Sequence, residues 1–289
     1  MSINSESSTY FADEESPVEV ARVLRQDDLL TDALEQMGEF LPSTLAPATV
    51  RSVLDIACGG GGWPRAVARR LPKAHVTGFD ISEEMIKVAQ VRASASRLAN
   101  VEFLRQDAHS RPWPFPAEFY DLVNARLTST FMTRELWPQL LAECFRIQRP
   151  GGVMRIIDLE LAISNSLSLE RLNHNFTISM HKLRRTFSET GRSMGTAPML
   201  KPLLRQAGYQ DIQQRGFAVD LSAGTPAQRD WFEDFKAIHF SLGKLRGQYS
   251  QIDSKEAEEL FEQACIDFLK PDFTFMLFFF MSWGRKEEA

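Results

Sequence analysis

The sequence predicts an α/β protein built on a seven-stranded, mostly parallel sheet with helices on both faces. Three observations predict it. Between residues 51 and 159, short apolar runs alternate with helical patterns at the spacing of βαβ units. The first apolar run ends in four consecutive glycines, Gly59, Gly60, Gly61 and Gly62, where a helix begins. A long aromatic run at 272–283 adds a last strand after the alternation has stopped. The chain has 289 residues, of which 44% are hydrophobic and 25% charged, so it can bury a large core and is not a mostly disordered chain.

Residues 1–15 are rich in Ser, Glu and Asp and read as a flexible acidic segment, neither signal nor transit peptide. From 17 to 40, apolar residues recur at helical spacing (Val20, Val23, Leu24, then Leu30, Ala33, Leu34 and Met37), which predicts one or two amphipathic helices. Pro42 and Pro47 end that pattern. The core follows. Strands are expected at 51–58, 75–80, 101–106, 120–125 and 153–159, with helices at 64–71, 83–98 and 135–147. Ser82 is the expected cap of the second core helix, because Glu83 and Glu84 open it. After Glu160 the rhythm changes. Residues 161–192 and 226–269 read as helical without a following strand, while 198–207 is a helix leading into a sixth strand at 209–221. The run FTFMLFFF at 273–280 reads as a core strand buried on both faces.

Several function classes drop out early. Three scattered cysteines (Cys58, Cys144, Cys265) do not make a disulfide framework, and no Cys/His cluster has zinc-ligand spacing, so no metal is expected. The longest apolar run is too short to span a bilayer. A cytoplasmic protein with no membrane partner is expected. The net charge of −5 argues at first against nucleic acid. It is unevenly placed, however. The first 50 residues carry ten acids and two bases, and the remainder is mildly basic.

The chemistry gathers at the ends of the strands. A glycine loop between strand and helix lets a ligand approach the backbone closely, and could cradle either a pyrophosphate or a nucleoside. Asp55 lies inside the preceding strand, and a pyrophosphate would be repelled by it. Asp80 ends the second strand, where an acid can accept both hydroxyls of a ribose. Asp107 ends the third, where it can accept from an adenine amino group. Acids at successive strand ends would surround an adenosine.

These residues resemble the class I S-adenosylmethionine-dependent methyltransferases, a Rossmann-like family. Residues 55–61 are similar to that family's D-x-G-x-G-x-G motif, with Ala57 in place of the first glycine and Gly59 and Gly61 retained. By this resemblance Asp80 binds the ribose, Ile81 and Met85 flank the adenine, Asp107 and Ala108 contact its edge, and Asn124 lies near the methionine part. Arg149, Pro150, Gly151 and Gly152 look like the family's turn before the fifth strand. The resemblance is firm over 50–160 and looser over 195–221 and 272–284. It implies S-adenosyl-L-methionine as cofactor and a strand order 3-2-1-4-5-7-6 with the last strand antiparallel. It also divides the chain into an N-terminal helical lid (1–48), a cofactor-binding core (49–160), a helical cap insertion (161–195) and a C-terminal part of the core (196–289) with a second insertion at about 222–271.

Methyl transfer from a sulfonium is an in-line displacement, so the protein mainly aligns and desolvates the acceptor. The three segments outside the family core are expected to cover that acceptor, with Tyr10 and Phe11 as a lid over the cofactor. His174 and His181 lie seven residues apart, on one face if helical, and are the expected catalytic pair; a solvated helix face is the alternative. His109 follows the adenine contact at the rim, His239 sits among aromatics as a packed residue, and His75 lies away from the site. The loop after the fourth strand (Asn124, Ala125, Arg126, Leu127) lacks the Asn/Asp-Pro-Pro-aromatic motif of amide and exocyclic-amine methyltransferases. Metal-independent methylation of a small apolar or aromatic metabolite at O, N or C is therefore expected, with self-association left open. Two alternatives stand. The basic cluster Lys182, Arg184, Arg185 and Arg192 would suit an RNA or protein substrate. The cofactor could also shape a pocket for a non-methylating rearrangement.

Overall fold

The computed structural model describes residues 16–243 and 248–287; the expected Tyr10–Phe11 lid lies outside them. One helix, α1 (Pro17–Gln36), takes the place of the one or two expected. The core then runs β1 (Ser52–Ile56), α2 (Gly62–Arg70), β2 (His75–Asp80), α3 (Glu83–Ala95), β3 (Val101–Arg105), β4 (Tyr120–Arg126), α4 (Trp137–Ile147) and β5 (Gln148–Leu159). The Ser82 hydroxyl accepts the Met85 N–H and caps α3 as its sequence predicts. β5 begins five residues earlier than expected, because Gln148 already pairs with Tyr120 before a register shift.

The remaining elements are β6 (Ile163–Ser164), α5 (Leu167–Lys182), α6 (Thr196–Gln206), β7 (Gln210–Asp220), α7 (Gln228–Ser241), α8 (Ser254–Phe268) and β8 (Phe275–Arg285). Two expectations are corrected here. The sheet has eight strands rather than seven, and residues 161–192 are not one helix. Both follow from β6, which pairs with Met276 and Phe275 along the edge of β8 that β5 occupies at Phe279 and beyond. The extra strand is a two-residue continuation of β5, interrupted at 160–162, and the lateral order across the sheet stays β3-β2-β1-β4-β5-β8-β7. β1 to β5 are parallel, and β8 runs antiparallel to both neighbours.

Residues alternate between the two faces, as a pleated strand requires. Val53, Leu122 and Val153 face α1, α2, α7 and α8, packing with Leu30, Leu34, Trp63, Val67 and Phe268. Leu54, Val123 and Met154 face α4 and α6, packing with Leu140, Leu141, Leu200 and Leu204. The aromatic run in β8 is less enclosed than expected. Phe275, Leu277 and Phe279 are buried, while Met276, Phe278 and Phe280 are half-buried, because β7 beyond it is an exposed edge. The order reverses at β1, so the crevice at the carboxyl ends of β1 and β4 is the natural place for a ligand.

Candidate functional site

The crevice holds an open cavity, whose non-atom space, open solvent included, is about 1040 Å³. Its floor is the β1–α2 loop and the carboxyl ends of β2 and β3, and its roof is α1. Ala57, Gly59, Asp80, Ile81, Met85, Asp107 and Ala108 all line it. Asp55, Gly61 and Asn124 lie behind that surface.

The loop is shaped by its backbone. Ala57 and Gly59 adopt left-handed φ angles of 51° and 53°, a setting that favours glycine and is strained for alanine. The Gly59 N–H donates to Asp80 Oδ2 at 2.9 Å and the Ser82 N–H to Asp80 Oδ1 at 3.0 Å, fixing that carboxylate at the cavity wall. Asp107 accepts the His109 N–H at 2.8 Å and the Ser110 hydroxyl at 3.2 Å. Its hydrogen bond with the His109 side chain, more than any other contact, holds its pKa below the ordinary carboxylate range.

Behind the loop runs a buried polar chain. Asn124 donates to Asp55 Oδ1 at 2.5 Å and accepts from Arg155 Nε at 2.6 Å. The Arg155 guanidinium lies 4.7 Å over the Trp63 ring and donates to the Phe40 carbonyl. Burial depresses the Arg155 pKa to about 9, helped by the nearby Arg126. Burial likewise raises Asp55 to about 6, against the lowering pull of Arg126 and of the Asn124 hydrogen bond. Asp55 Oδ2 is buried with no hydrogen-bond partner, an acceptor aimed at no protein group. A cationic amino group beside the loop would satisfy it, so the residues fit an amino-acid-bearing nucleoside.

Sequence reasoning missed the roof. Asp27 of α1 accepts from Arg126 Nη2 at 2.6 Å and from the Gly62 N–H at 2.6 Å, tying the helix to β4 and to the first turn of α2. Both side chains of the ion pair are nearly dry, at 8% and 6% exposed. A signal was present. Asp27 stands in the inner stripe with Leu30, Thr31 and Leu34, where an acid is out of place unless it has a partner.

The structure does not bring His174 or His181 to the cavity. His174 is exposed on α5, and His181 Nδ1 lies 3.2 Å from the Thr186 hydroxyl. Among the described residues, none from either insertion lines the cavity. Its histidine is His109. His239 is packed, stacked 3.6 Å from the Phe261 ring centroid, and His75 is exposed beside Glu102. Of the basic cluster, Lys182, Arg184 and Arg192 are exposed and Arg185 is not. Arg185 is buried and donates to the Thr130 carbonyl, Arg184 pairs with Glu135, and Lys182 donates to the Tyr249 carbonyl.

The sheet order and the glycine turn between β1 and α2 are those of the Rossmann-like methyltransferase fold. Residues 53–152 match the family model described as a methyltransferase domain, which spans β1 into β5. Among curated proteins, the demethylmenaquinone methyltransferase of Listeria monocytogenes is 36% identical over 110 residues, covering 37% of this chain and 44% of that protein. The demethylmenaquinone methyltransferase of Lactiplantibacillus plantarum is 29% identical over 185 residues, covering 59% and 75%. The chain spans under half the length of the first of these relatives. A candidate methyltransferase of Bacillus halodurans superposes with a TM-score of 0.52 at 18% identity, covering 90% of this chain and 99% of that one. Phosphoethanolamine N-methyltransferase 2 of Haemonchus contortus, solved with phosphomonomethylethanolamine and S-adenosylhomocysteine, superposes at 0.50 with 19% identity, covering 90% and 53%.

Proposed function

We propose that this protein binds S-adenosyl-L-methionine between the glycine loop and α1 and transfers its methyl group to a small apolar or aromatic acceptor. The observation that carries the reading is the set of acids at and behind the cavity wall, with Asp80 on it fixed by two backbone N–H groups and Asp55 behind it left with a buried, unpartnered oxygen. Asp80 would take the ribose hydroxyls, Asp107 and Ala108 the adenine edge, and Asp55 with Asn124 the amino end of the methionine. Beyond them Val23, Leu30, Leu127 and Phe131 give the cavity apolar walls, which suit an aromatic ring better than a charged acceptor. The demethylmenaquinone methyltransferases among the relatives support a quinol-like acceptor. The transfer needs alignment and dryness rather than a Lewis acid. Among the described residues no group of His, Cys, Asp and Glu is placed to hold a metal ion. No helix among the described residues is long and apolar enough to cross a membrane, and three unpaired cysteines suit the reducing cytoplasm.

Calorimetric titration with S-adenosylhomocysteine and a labelled-methyl assay on reduced 1,4-dihydroxynaphthalene test this. Asp80→Asn should weaken S-adenosylhomocysteine binding roughly ten- to a hundredfold, the worth of a charge-assisted hydrogen bond. Unchanged binding in a folded variant refutes the cofactor assignment.

A further inference from the structure

We propose that His109 is the proton acceptor of the methyl-transfer reaction, and that the methyl acceptor accordingly carries an acidic hydroxyl on a flat apolar ring, as a phenol or hydroquinol does. The inference rests on the methyl-transfer reading above and adds to it a residue and the acidic hydroxyl from which that residue takes a proton.

His109 stands two residues past Asp107, in the turn after β3, and lines the cavity. Its ring Nδ1 lies 3.3 Å from Asp107 Oδ1, and the same oxygen accepts the His109 main-chain N–H at 2.8 Å. Assigned from that contact, the neutral imidazole carries its proton on Nδ1 and leaves Nε2 as a lone-pair acceptor. Nε2 is buried and has no hydrogen-bond partner. A buried acceptor without a donor is unfavourable, and a histidine on a cavity wall can find its donor in what fills the cavity. The ring cannot easily turn away. Asp107 holds one end, and Phe131 packs edge-on against it, with centroids 5.9 Å apart and planes at 86°. Phe131 and Leu127, which line the same cavity, offer the apolar surface an aromatic acceptor would lie on.

The chemistry balances without an added reagent. The acceptor hydroxyl gives its proton to Nε2, and the resulting oxyanion, or the ring carbon it activates, forms a bond to the methyl group. The methyl–sulfur bond breaks, its electron pair returns to sulfur, and the sulfonium becomes a neutral thioether. For transfer to carbon, the methylated ring carbon then gives up its proton to water while the ring oxygen takes one from water, which restores the hydroxyl and the aromatic ring. The imidazolium beside the Asp107 carboxylate releases its proton to water. A positioned base of this kind contributes about 10²- to 10⁴-fold. Asp107 is the charged group in ion-pair range of the ring, and Glu19 and Asp27 from α1, Asp80 from β2 and Arg126 from β4 share the cavity with it.

The test compares the whole protein with His109→Gln, which keeps a polar side chain of similar reach but cannot act as a base. Three measurements are made: S-adenosylhomocysteine binding by calorimetry, methylation of reduced 1,4-dihydroxynaphthalene across pH, and absorption of 4-nitrophenol bound to the S-adenosylhomocysteine-loaded protein at about pH 6. The expected result is unchanged S-adenosylhomocysteine affinity, a fall in kcat of about 10²- to 10⁴-fold, and a bound nitrophenolate band only in the protein with His109. The proposal is overturned by an unchanged kcat, or by a parallel loss of cofactor affinity, which would assign Nε2 to the cofactor. It is also overturned by a protein that binds S-adenosylhomocysteine but neither methylates the naphthalenediol nor binds the nitrophenol. Failure of the unaltered protein to bind S-adenosylhomocysteine instead refutes the reading beneath it.

Discussion

Asp55 is a carboxyl group with one satisfied oxygen and one orphan, 1% exposed beside the glycine loop. Burial raises its pKa from 3.8 to about 6 in the free protein, with Arg126 and Asn124 opposing and Asp27 adding to the rise. A carboxyl raised above its unfolded value stabilises the fold fully below that value, and the stabilisation is lost as pH rises through about 6. A bound ammonium group reverses the preference, because it favours the carboxylate. S-adenosylhomocysteine affinity should therefore rise about tenfold from pH 5 to pH 7 and then level off, since each pKa unit corresponds to about 1.4 kcal/mol. Asp55→Asn should flatten that profile; an equal slope in the variant assigns the titration elsewhere. The residues at this scale were the most legible in the sequence. Asp55, Asp80 and Asp107 each end or interrupt a strand, and strand ends can be read from apolar periodicity alone. His174 and His181 share a helix face by spacing, but spacing cannot say which way that helix turns relative to the sheet.

At the scale of the element, α1 decides how the glycine loop is used. A Cβ on Gly62 would lie 2.4 Å from Asp27 Oδ2, and one on Gly60 would lie 2.0 Å from Leu24 Cδ2. Gly61 makes room for Phe103 in the same way, at 2.6 Å. Only part of the glycine run thus serves a ligand; the rest lets a helix and a ring pack on the turn. The run itself announced a close approach, but not by what, because the partner lies some 35 residues earlier and is a carboxylate in an otherwise apolar stripe. Asp27→Ala would leave Arg126 buried without its partner and should cost about 3 to 5 kcal/mol in urea unfolding. Asp28→Ala is the control. Its pair with Arg92 is nearly as short, at 2.8 Å against 2.6 Å, but exposed, and its loss should cost less than about 1 kcal/mol. Equal effects of the two would mean that Asp27 does not anchor the helix.

Over the whole molecule, the second insertion acts through α1 rather than on the cavity. α7 holds the helix from behind, with Arg25 Nε 2.6 Å from Asp234 and the Ser241 hydroxyl donating to Glu19 at 3.0 Å. α8 packs in turn on α7, where Phe235 meets Phe261 and Phe268. The amino-terminal acidity visible in the sequence is partly this device, since Glu19 and Asp27 are both buried contacts of α1. The helix is attached largely by polar groups, with Leu30 and Leu34 as its buried apolar residues, and a contact of that kind opens at less than the cost of global unfolding. Ligand in the cavity beneath it must suppress that opening. With S-adenosylhomocysteine at about 100 times its Kd, linkage supplies about 2.7 kcal/mol, so amide exchange in α1 and in the β1–α2 loop should slow by up to about a hundredfold. Exchange in β7, on the far edge of the sheet, should not change except where it reports global unfolding. Hydrogen-exchange mass spectrometry with and without the ligand reads both regions in one experiment. Protection confined to the loop, with α1 exchanging at its free rate, would show that the helix is fixed scaffold and that the cofactor enters without displacing it.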